Sequence, residues 1–448
     1  MIETKQKYVD IARDFLRDMD MPTIHHRGQL LTYNNRHFTE VSTDKLGLLV
    51  RKWAIRNQGE LKRAAVAEVV ETIRADAMTD HETALPFWDG TDGPPTAHVI
   101  PFRNGLLDIE TMELRDHTPR FVCTYSLPYD YSPDAKCREW ESRLAEVYEG
   151  DQARIGLLQE WFGYCLTPDI SQHKFLGLCG VQRSMKSTIL HVLHALVGGA
   201  NATAYRLGQL ATQFGLEGLI GKQLAIVSEV ELDGSHQKGD IIERLKAITG
   251  GDSQEIPRKF QTPVSTVLPT RFVFAANKMP LLFDGSSALA DRLVLIEHRR
   301  SFLGKEDRDL PNRLLAEVEG VAAWALAGYR RVRQAGKFSA VDCDLMTRFR
   351  RASASIDCFL RERCVVHDSI GPLHLDLKTT PDKIEVAKQD LFGRYVSYCE
   401  KYNVYPRAEK SFHADLTELI PALPDLSYRA HGQPWRYRGI KALDGFNE

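Results

Sequence analysis

Apolar positions at three-and-four spacing dominate the start of the chain: Ile11, Phe15 and Leu16, then Leu46, Leu49, Val50 and Trp53, each mark one face of a helix. A break from Tyr33 to Thr39, carrying Arg36, His37 and Phe38, predicts a small hairpin. Residues 1–98 are read as a helical N-terminal domain. The pattern then changes. In TDGPPTAHVIPFRNGLLDIETMELRDHTP the apolar runs are short and are parted by Asn104-Gly105 and by Glu110 to Met112, which predicts strands joined by tight turns. Amphipathic helix returns between Ala135 and Tyr164, with Trp140, Leu144, Val147, Ile155, Leu157, Leu158, Trp161 and Phe162 on its apolar positions. Residues 99–170 form a second region on this reading.

From Lys174 to Phe302 the strand-like runs FLGLC, QLAIVSE, RFVFAAN and RLVLIEH alternate with helical patterns such as STILHVLHALVG and DIIERLKAITG. Such alternation predicts an α/β sheet with a ligand site at the strand ends, here spanning 171–305. A helical stretch from Leu310 to Val366 follows, read as a lid or connector over 306–370, and a break at Gly371 to Asp382 leads into a tail, 371–448. Two helical patterns, EVAKQDLFGRYVSYCEKY and KSFHADLTELI, precede an Arg/Tyr-rich strand pair ending WRYRGIKAL. Helix, helix and wing is the order of a winged-helix module. The chain carries no internal repeat and no low-complexity run.

With 448 residues, 43% hydrophobic and 26% charged, the chain can bury a large core shared among several domains. A net charge of −2 excludes a globally basic nucleic-acid binder, so any DNA contact must be local. The eight cysteines stand singly, without a CxxC pair, which argues against structural zinc and for reduced thiols. The charged N-terminal segment and the lack of a run of roughly 18 uncharged apolar residues predict a soluble, cytoplasmic protein with no membrane partner.

The chemistry concentrates in Gly180-Val181-Gln182-Arg183-Ser184-Met185-Lys186-Ser187-Thr188, directly after FLGLC and before a helical pattern. In a P-loop, backbone N–H groups and a helix N-terminus wrap the phosphates, a lysine reaches the outer phosphates and a Ser/Thr hydroxyl binds Mg²⁺. Lys186 and Ser187 fit those roles. Met185 stands where the motif has its second glycine, whose freedom lets the backbone approach the phosphates. Further on, the apolar run Leu224–Val227 empties into Ser228, Glu229, Val230 and Glu231, and Glu229 is the first choice for the carboxylate that orients water and helps hold Mg²⁺, with Glu231 second. Ser228 occupies a place where many such proteins have aspartate. Around Pro257, the triplet Arg258-Lys259-Phe260 offers two cations and an aromatic at a hairpin tip suited to a phosphate backbone. RFVFAAN ends at Asn277, a side chain suited to sensing the γ-phosphate or orienting the attacking water, and Arg292 is suited to stabilising charge on a transferring phosphoryl group from a neighbouring subunit. In the tail, Arg429, His431, Arg436, Arg438 and Lys441 are interleaved with Tyr428, Trp435 and Tyr437, a mixture suited to phosphates and base stacking.

The order of IPFRNGLLDIETMEL, LLQEWFGYCLTPD, FLGLCGVQRSMKST, LAIVSEVE, LKAITGGDSQEIPRKF, FVFAANKMP and ADRLVLIEHRRSF resembles the poxvirus-type superfamily 3 helicases of phage and plasmid primase-helicases. The resemblance covers about Ile100 to Phe302. It implies an AAA+-like P-loop ATPase core binding ATP and Mg²⁺, and a homo-oligomeric ring, a hexamer, around single-stranded or forked DNA. It also implies Lys186 as the Walker A lysine, Glu229 as the Walker B acid, Asn277 as sensor, Arg292 as arginine finger, and Arg258 and Lys259 at a DNA-contacting hairpin tip. Met185 and Ser228 depart from the family pattern. The segment before Ile100 is too short for the primase domain of many relatives, so priming is assigned to another protein, a separate primase or polymerase. The expected function is an ATP-dependent replicative helicase of a phage, plasmid or other mobile element. The alternative is a DNA-binding replication initiator or scaffold with weak or no ATPase activity, which Met185 keeps open.

Overall fold

The computed structural model describes residues 2–78, 84–90, 93–228, 238–259, 261–277, 288–341, 343–366, 384–402, 404–425, 427–429 and 433–443. It divides into two compact units: Met1–Val230 with Arg244–Asn277 and His298–Val341, and Glu231–Glu243 with Lys278–Glu297 and Asp342–Glu448.

In the first unit, the helices Ile2–Asp18, Thr43–Asn57 and Arg63–Asp76 bury Phe15, Val50, Trp53, Val69 and Ile73 in one cluster. Ser42 caps the middle helix, its Oγ accepting from the Lys45 N–H at 3.2 Å, which satisfies one of the donors a helix N-terminus leaves open. The hairpin expected at Tyr33 to Thr39 is one turn of a three-stranded antiparallel meander, Thr23–His26, Gln29–Tyr33 and Phe38–Glu40. The mostly helical pattern of residues 1–98, with its one hairpin, does not reveal the strand Thr23–His26 or the full sheet, because Gln29–Tyr33 is buried at every position and shows no two-residue alternation.

The expected strands after residue 98 form a second antiparallel meander, Val99–Phe102, Gly105–Asp108 and Glu113–Arg115. The amphipathic stretch that follows is two helices, Arg138–Val147 and Gln152–Leu166, parted by Glu149 and Gly150 at positive φ and restarted by Asp151, whose carboxylate accepts from the Ala153 and Arg154 N–H groups. Gln152–Leu166 lies along the helix Val318–Ala335. The backbones come so close that a Cβ on Gly163 would stand 2.1 Å from the Ala325 oxygen, and one on Gly328 2.5 Å from Gln159.

The central sheet has five strands in the order Ala202–Ala204, Leu224–Val227, Arg271–Ala276, Phe175–Gly180, Leu293–His298. The first four pair in parallel. Their nearly continuous apolar sequences suit strands covered on both faces, and the helix Lys186–Val197 buries Ile189, Leu190, Leu193 and Leu196. The architecture is mixed α/β. An antiparallel hairpin, Ser253–Arg258 with Gln261–Val267, belongs to the first unit.

The second unit has its own core, in which Phe359, Leu391, Tyr395, Tyr398, Phe412, Leu416 and Tyr437 meet. It holds the helices Ser355–Arg363, Lys388–Lys401 and Glu409–Leu419, a sheet ordered Glu385–Ala387, Arg436–Arg438, Ser427–Tyr428, and the strand pair Cys364–Val366 with Ile440–Ala442. Ser355–Arg363, read from sequence as part of the 306–370 connector, belongs to this core through Ile356, Phe359 and Leu360. The break expected at Gly371 to Asp382 lies outside the described residues. Among the described residues no helix is long and apolar enough to cross a membrane.

Candidate functional site

The strand Phe175–Gly180 is an interior strand of the sheet and delivers the chain into the loop Val181–Met185, and the helix Lys186–Val197 begins at once. Met185 precedes that helix at φ 66° and ψ 8°, the left-handed conformation that glycine adopts without cost. Methionine thus keeps the backbone shape of the glycine it replaces. It supplies no side-chain acceptor to the first turn, so the N–H groups there are not capped by it. The Lys186 ammonium folds back over the loop, donating to the carbonyls of Gly180 at 3.0 Å and Val181 at 2.7 Å and to Ser184 Oγ at 3.1 Å. Its burial lowers the lysine pKa. Ser187, next along, is exposed at the helix start.

Three side chains to which the sequence pattern assigns no role support this loop from behind. His298 Nδ1 lies 2.9 Å from the Ser184 carbonyl, His298 Nε2 lies 3.2 Å from the Tyr148 hydroxyl, and Ser301 Oγ donates to the Gln182 carbonyl at 2.9 Å. The backbone adds two ties: Val181 N–H to the His298 oxygen at 3.0 Å and Phe302 N–H to the Arg183 oxygen at 2.7 Å. A Cβ on Gly180 would stand 1.9 Å from that His298 oxygen, so only glycine fits there. Burial holds the His298 pKa down to about 4, leaving a neutral imidazole at pH 7.

The other candidates are distributed unevenly. Ala276 pairs with Cys179, so Asn277 and Gly180 leave adjacent parallel strands at the same sheet end, with Asn277 exposed. Val227 pairs with Phe274, which brings Ser228 to that end as well, also exposed. Glu229 and Glu231 lie outside the described residues, as does Phe260. Arg292 closes the short helix Ala288–Arg292 in the second unit.

The hairpin is present where the sequence placed it, but its cations are engaged within the chain. Arg258 is 9% exposed and its guanidinium lies 2.8 Å from the Glu40 carboxylate. Lys259 sits 5.7 Å from the Phe214 ring centre, while its N–H points to Glu217 Oε2 at 3.4 Å. Glu40 could not be found from sequence, because nothing local marks a residue so distant along the chain as the partner.

In the tail, the strand Arg436–Arg438 alternates. Tyr437 is 2% exposed and packs into the core, which removes it from the stacking set read from sequence, whereas Trp435, just before the strand, is half exposed. Arg436 pairs with Glu385 at 3.0 Å, and the Arg438 guanidinium lies 4.2 Å over the Tyr428 ring. His431 lies outside the described residues.

Comparison with known families matches residues 15–149 to one described as D5 N terminal like, and residues 178–292 to a family of unknown function, DUF5906. The second match contains the loop, the hairpin, Asn277 and Arg292. Among solved structures, an A-form apo structure of the NrS-1 C-terminal region is similar with a TM-score of 0.52 at 12% identity, over 96% of this chain and 99% of that one. Two further apo structures of that region match at 0.50, also at 12% identity over 96% of this chain, with 99% and 98% of those chains covered. These likenesses establish a shared fold.

Proposed function

We propose that the chain is an ATP-driven motor on single-stranded DNA serving replication of a phage, plasmid or other mobile element. The observation that carries this reading is the loop Gly180–Thr188. It sits at the carboxyl end of an interior parallel strand, opens a helix, holds Met185 in a glycine-like conformation and gathers Lys186 over its carbonyls. The strand order, with Asn277 and Ser228 brought to the same edge as the loop, agrees with an AAA+-like ATPase. The D5 N-terminal-like match agrees with a phage or plasmid replication protein.

The residues present fit a nucleotide with Mg²⁺. The first-turn N–H groups would bind phosphate oxygens, Lys186 would turn from its carbonyls to the outer phosphates, and Ser187 would hold the metal. Bound ATP supplies the anhydride whose cleavage releases free energy. Glu229 is assigned to orienting the attacking water, Asn277 to reading the γ-phosphate, and Arg292 of a neighbouring copy to neutralising charge on the transferring group. Assembly into a ring follows from that last assignment. Arg258 and Lys259 are assigned to the DNA backbone, and the tail, read as a winged-helix module, adds Arg436 and Arg438. Strand displacement from forked DNA tests the reading: wild-type protein with ATP should unwind it, and Lys186→Ala should not.

A further inference from the structure

The left-handed turn at Met185 raises a physical question. A residue bearing a Cβ loses on the order of 1–2 kcal/mol in that conformation, so something must hold it there. The loop has two anchors on the residue just before. Ser184 Oγ donates to the Val181 carbonyl at 2.8 Å and accepts from Lys186, while the Ser184 carbonyl faces His298 Nδ1 at 2.9 Å. The carbonyl can only accept, so Nδ1 carries the hydrogen, and Nε2 is left to accept from the Tyr148 hydroxyl. One tautomer satisfies both contacts. Tyr148 is buried at the end of the helix Arg138–Val147, its ring centre 5.2 Å from that of His298, and burial keeps its phenol protonated. Ser184 and His298 are each 1% exposed, so water cannot substitute for these bonds.

We propose that Tyr148 and His298 are positioning residues of the phosphate loop, a strut that fixes the Ser184–Met185 peptide and so makes methionine workable where glycine would need no support. The proposal rests on reading Gly180–Thr188 as a nucleotide site. The strut touches no phosphate. It acts by preventing Met185 from relaxing to negative φ, a change that would swing the Lys186 N–H and the first helical turn away from the anion they are to bind. Its contribution therefore depends on the side chain at position 185.

That dependence separates a positioning role from mere packing. Equilibrium binding of a fluorescent ATP analogue with Mg²⁺, with a thermal melt of every protein, is measured for wild type, Lys186→Ala, Tyr148→Phe, His298→Asn, His298→Gln, Met185→Gly and the Met185→Gly combinations with His298→Gln and Tyr148→Phe. Asn places its amide where Nδ1 stands and Gln does not. The expected result is about tenfold weaker binding in His298→Gln, about threefold in Tyr148→Phe, less loss in His298→Asn than in His298→Gln, and recovery of most of the loss when Met185→Gly is added, in line with about 1 kcal/mol per neutral hydrogen bond. Should His298→Gln melt below the assay temperature, Tyr148→Phe with and without Met185→Gly reads the same coupling. Affinity unchanged in folded His298→Gln and Tyr148→Phe, or a loss that Met185→Gly leaves in place, overturns the strut. A wild type that binds no more tightly than Lys186→Ala overturns the nucleotide-site reading instead, and the strut with it.

Discussion

Arg258, on the hairpin, and Glu40, on the N-terminal meander, pair at 2.8 Å although 218 positions separate them in the sequence. The guanidinium is 9% exposed, so in this arrangement it cannot meet a DNA phosphate until the carboxylate lets go. Neutralising Glu40 removes the competitor. Glu40→Gln is expected to tighten binding of a single-stranded oligonucleotide about threefold at low salt, and Arg258→Ala to weaken it and flatten its salt dependence, as loss of one phosphate contact does. Fluorescence anisotropy across a salt series decides, and identical curves for wild type and Arg258→Ala would remove Arg258 from the DNA interface.

Met185→Gly replaces a strained residue at φ 66° with one that adopts this conformation freely. Relief of strain is partly offset by the greater freedom glycine has in the unfolded chain, so the net gain in stability should be no more than about 1 kcal/mol. Chemical denaturation reads it. A clear loss of stability would mean that the methionine side chain is worth more in packing than its backbone costs.

The depressed pKa of His298 predicts a specific acid sensitivity. The folded protein binds this proton only near pH 4, whereas the unfolded chain binds it near 6.5, so between those values the unfolded state holds more protons. The contribution of the neutral imidazole is therefore complete above pH 6.5 and is lost as pH falls toward 4, by a few kcal/mol at most on the order of 1.4 kcal/mol per pH unit. Melting temperatures of wild type and His298→Asn should converge as pH is lowered through this window; parallel curves would show that His298 does not titrate there.

Tyr437 and Trp435 stand two residues apart with opposite exposures, 2% and 50%. Tyr437→Ala should cost about 3–5 kcal/mol of stability in the second unit, as large-to-small changes in a packed core do. Trp435→Ala should leave the melt nearly unchanged and weaken DNA binding by loss of a stacking surface, on the order of 1 kcal/mol. The two variants measured side by side, by melt and by anisotropy, distinguish core from surface; a reversed pattern would contradict the burial of Tyr437 and the exposure of Trp435.

Local pattern was enough to read some of this molecule. The run FLGLC, the loop after it and the helix that follows are legible from apolar runs and a phosphate-loop spacing, and the turns at Asn104-Gly105 and at Glu110 to Met112 from their residue types. What stayed hidden was set by distance along the chain. His298 reaches Ser184 across 114 positions and Tyr148 across 150, and no spacing rule connects them. Gln29–Tyr33 is buried throughout and so gives no alternation to read. The helix Ser355–Arg363 reads as one more amphipathic segment in a helical stretch, and only the packing of Ile356, Phe359 and Leu360 against Tyr395, Tyr398 and Phe412 assigns it to the second unit.

The most direct test is ATP hydrolysis by the purified protein with and without single-stranded DNA, beside Lys186→Ala. The account predicts turnover that DNA stimulates and that the variant lacks. A wild type that binds DNA yet shows no more hydrolysis than Lys186→Ala would contradict the motor and leave a replication initiator or scaffold in its place.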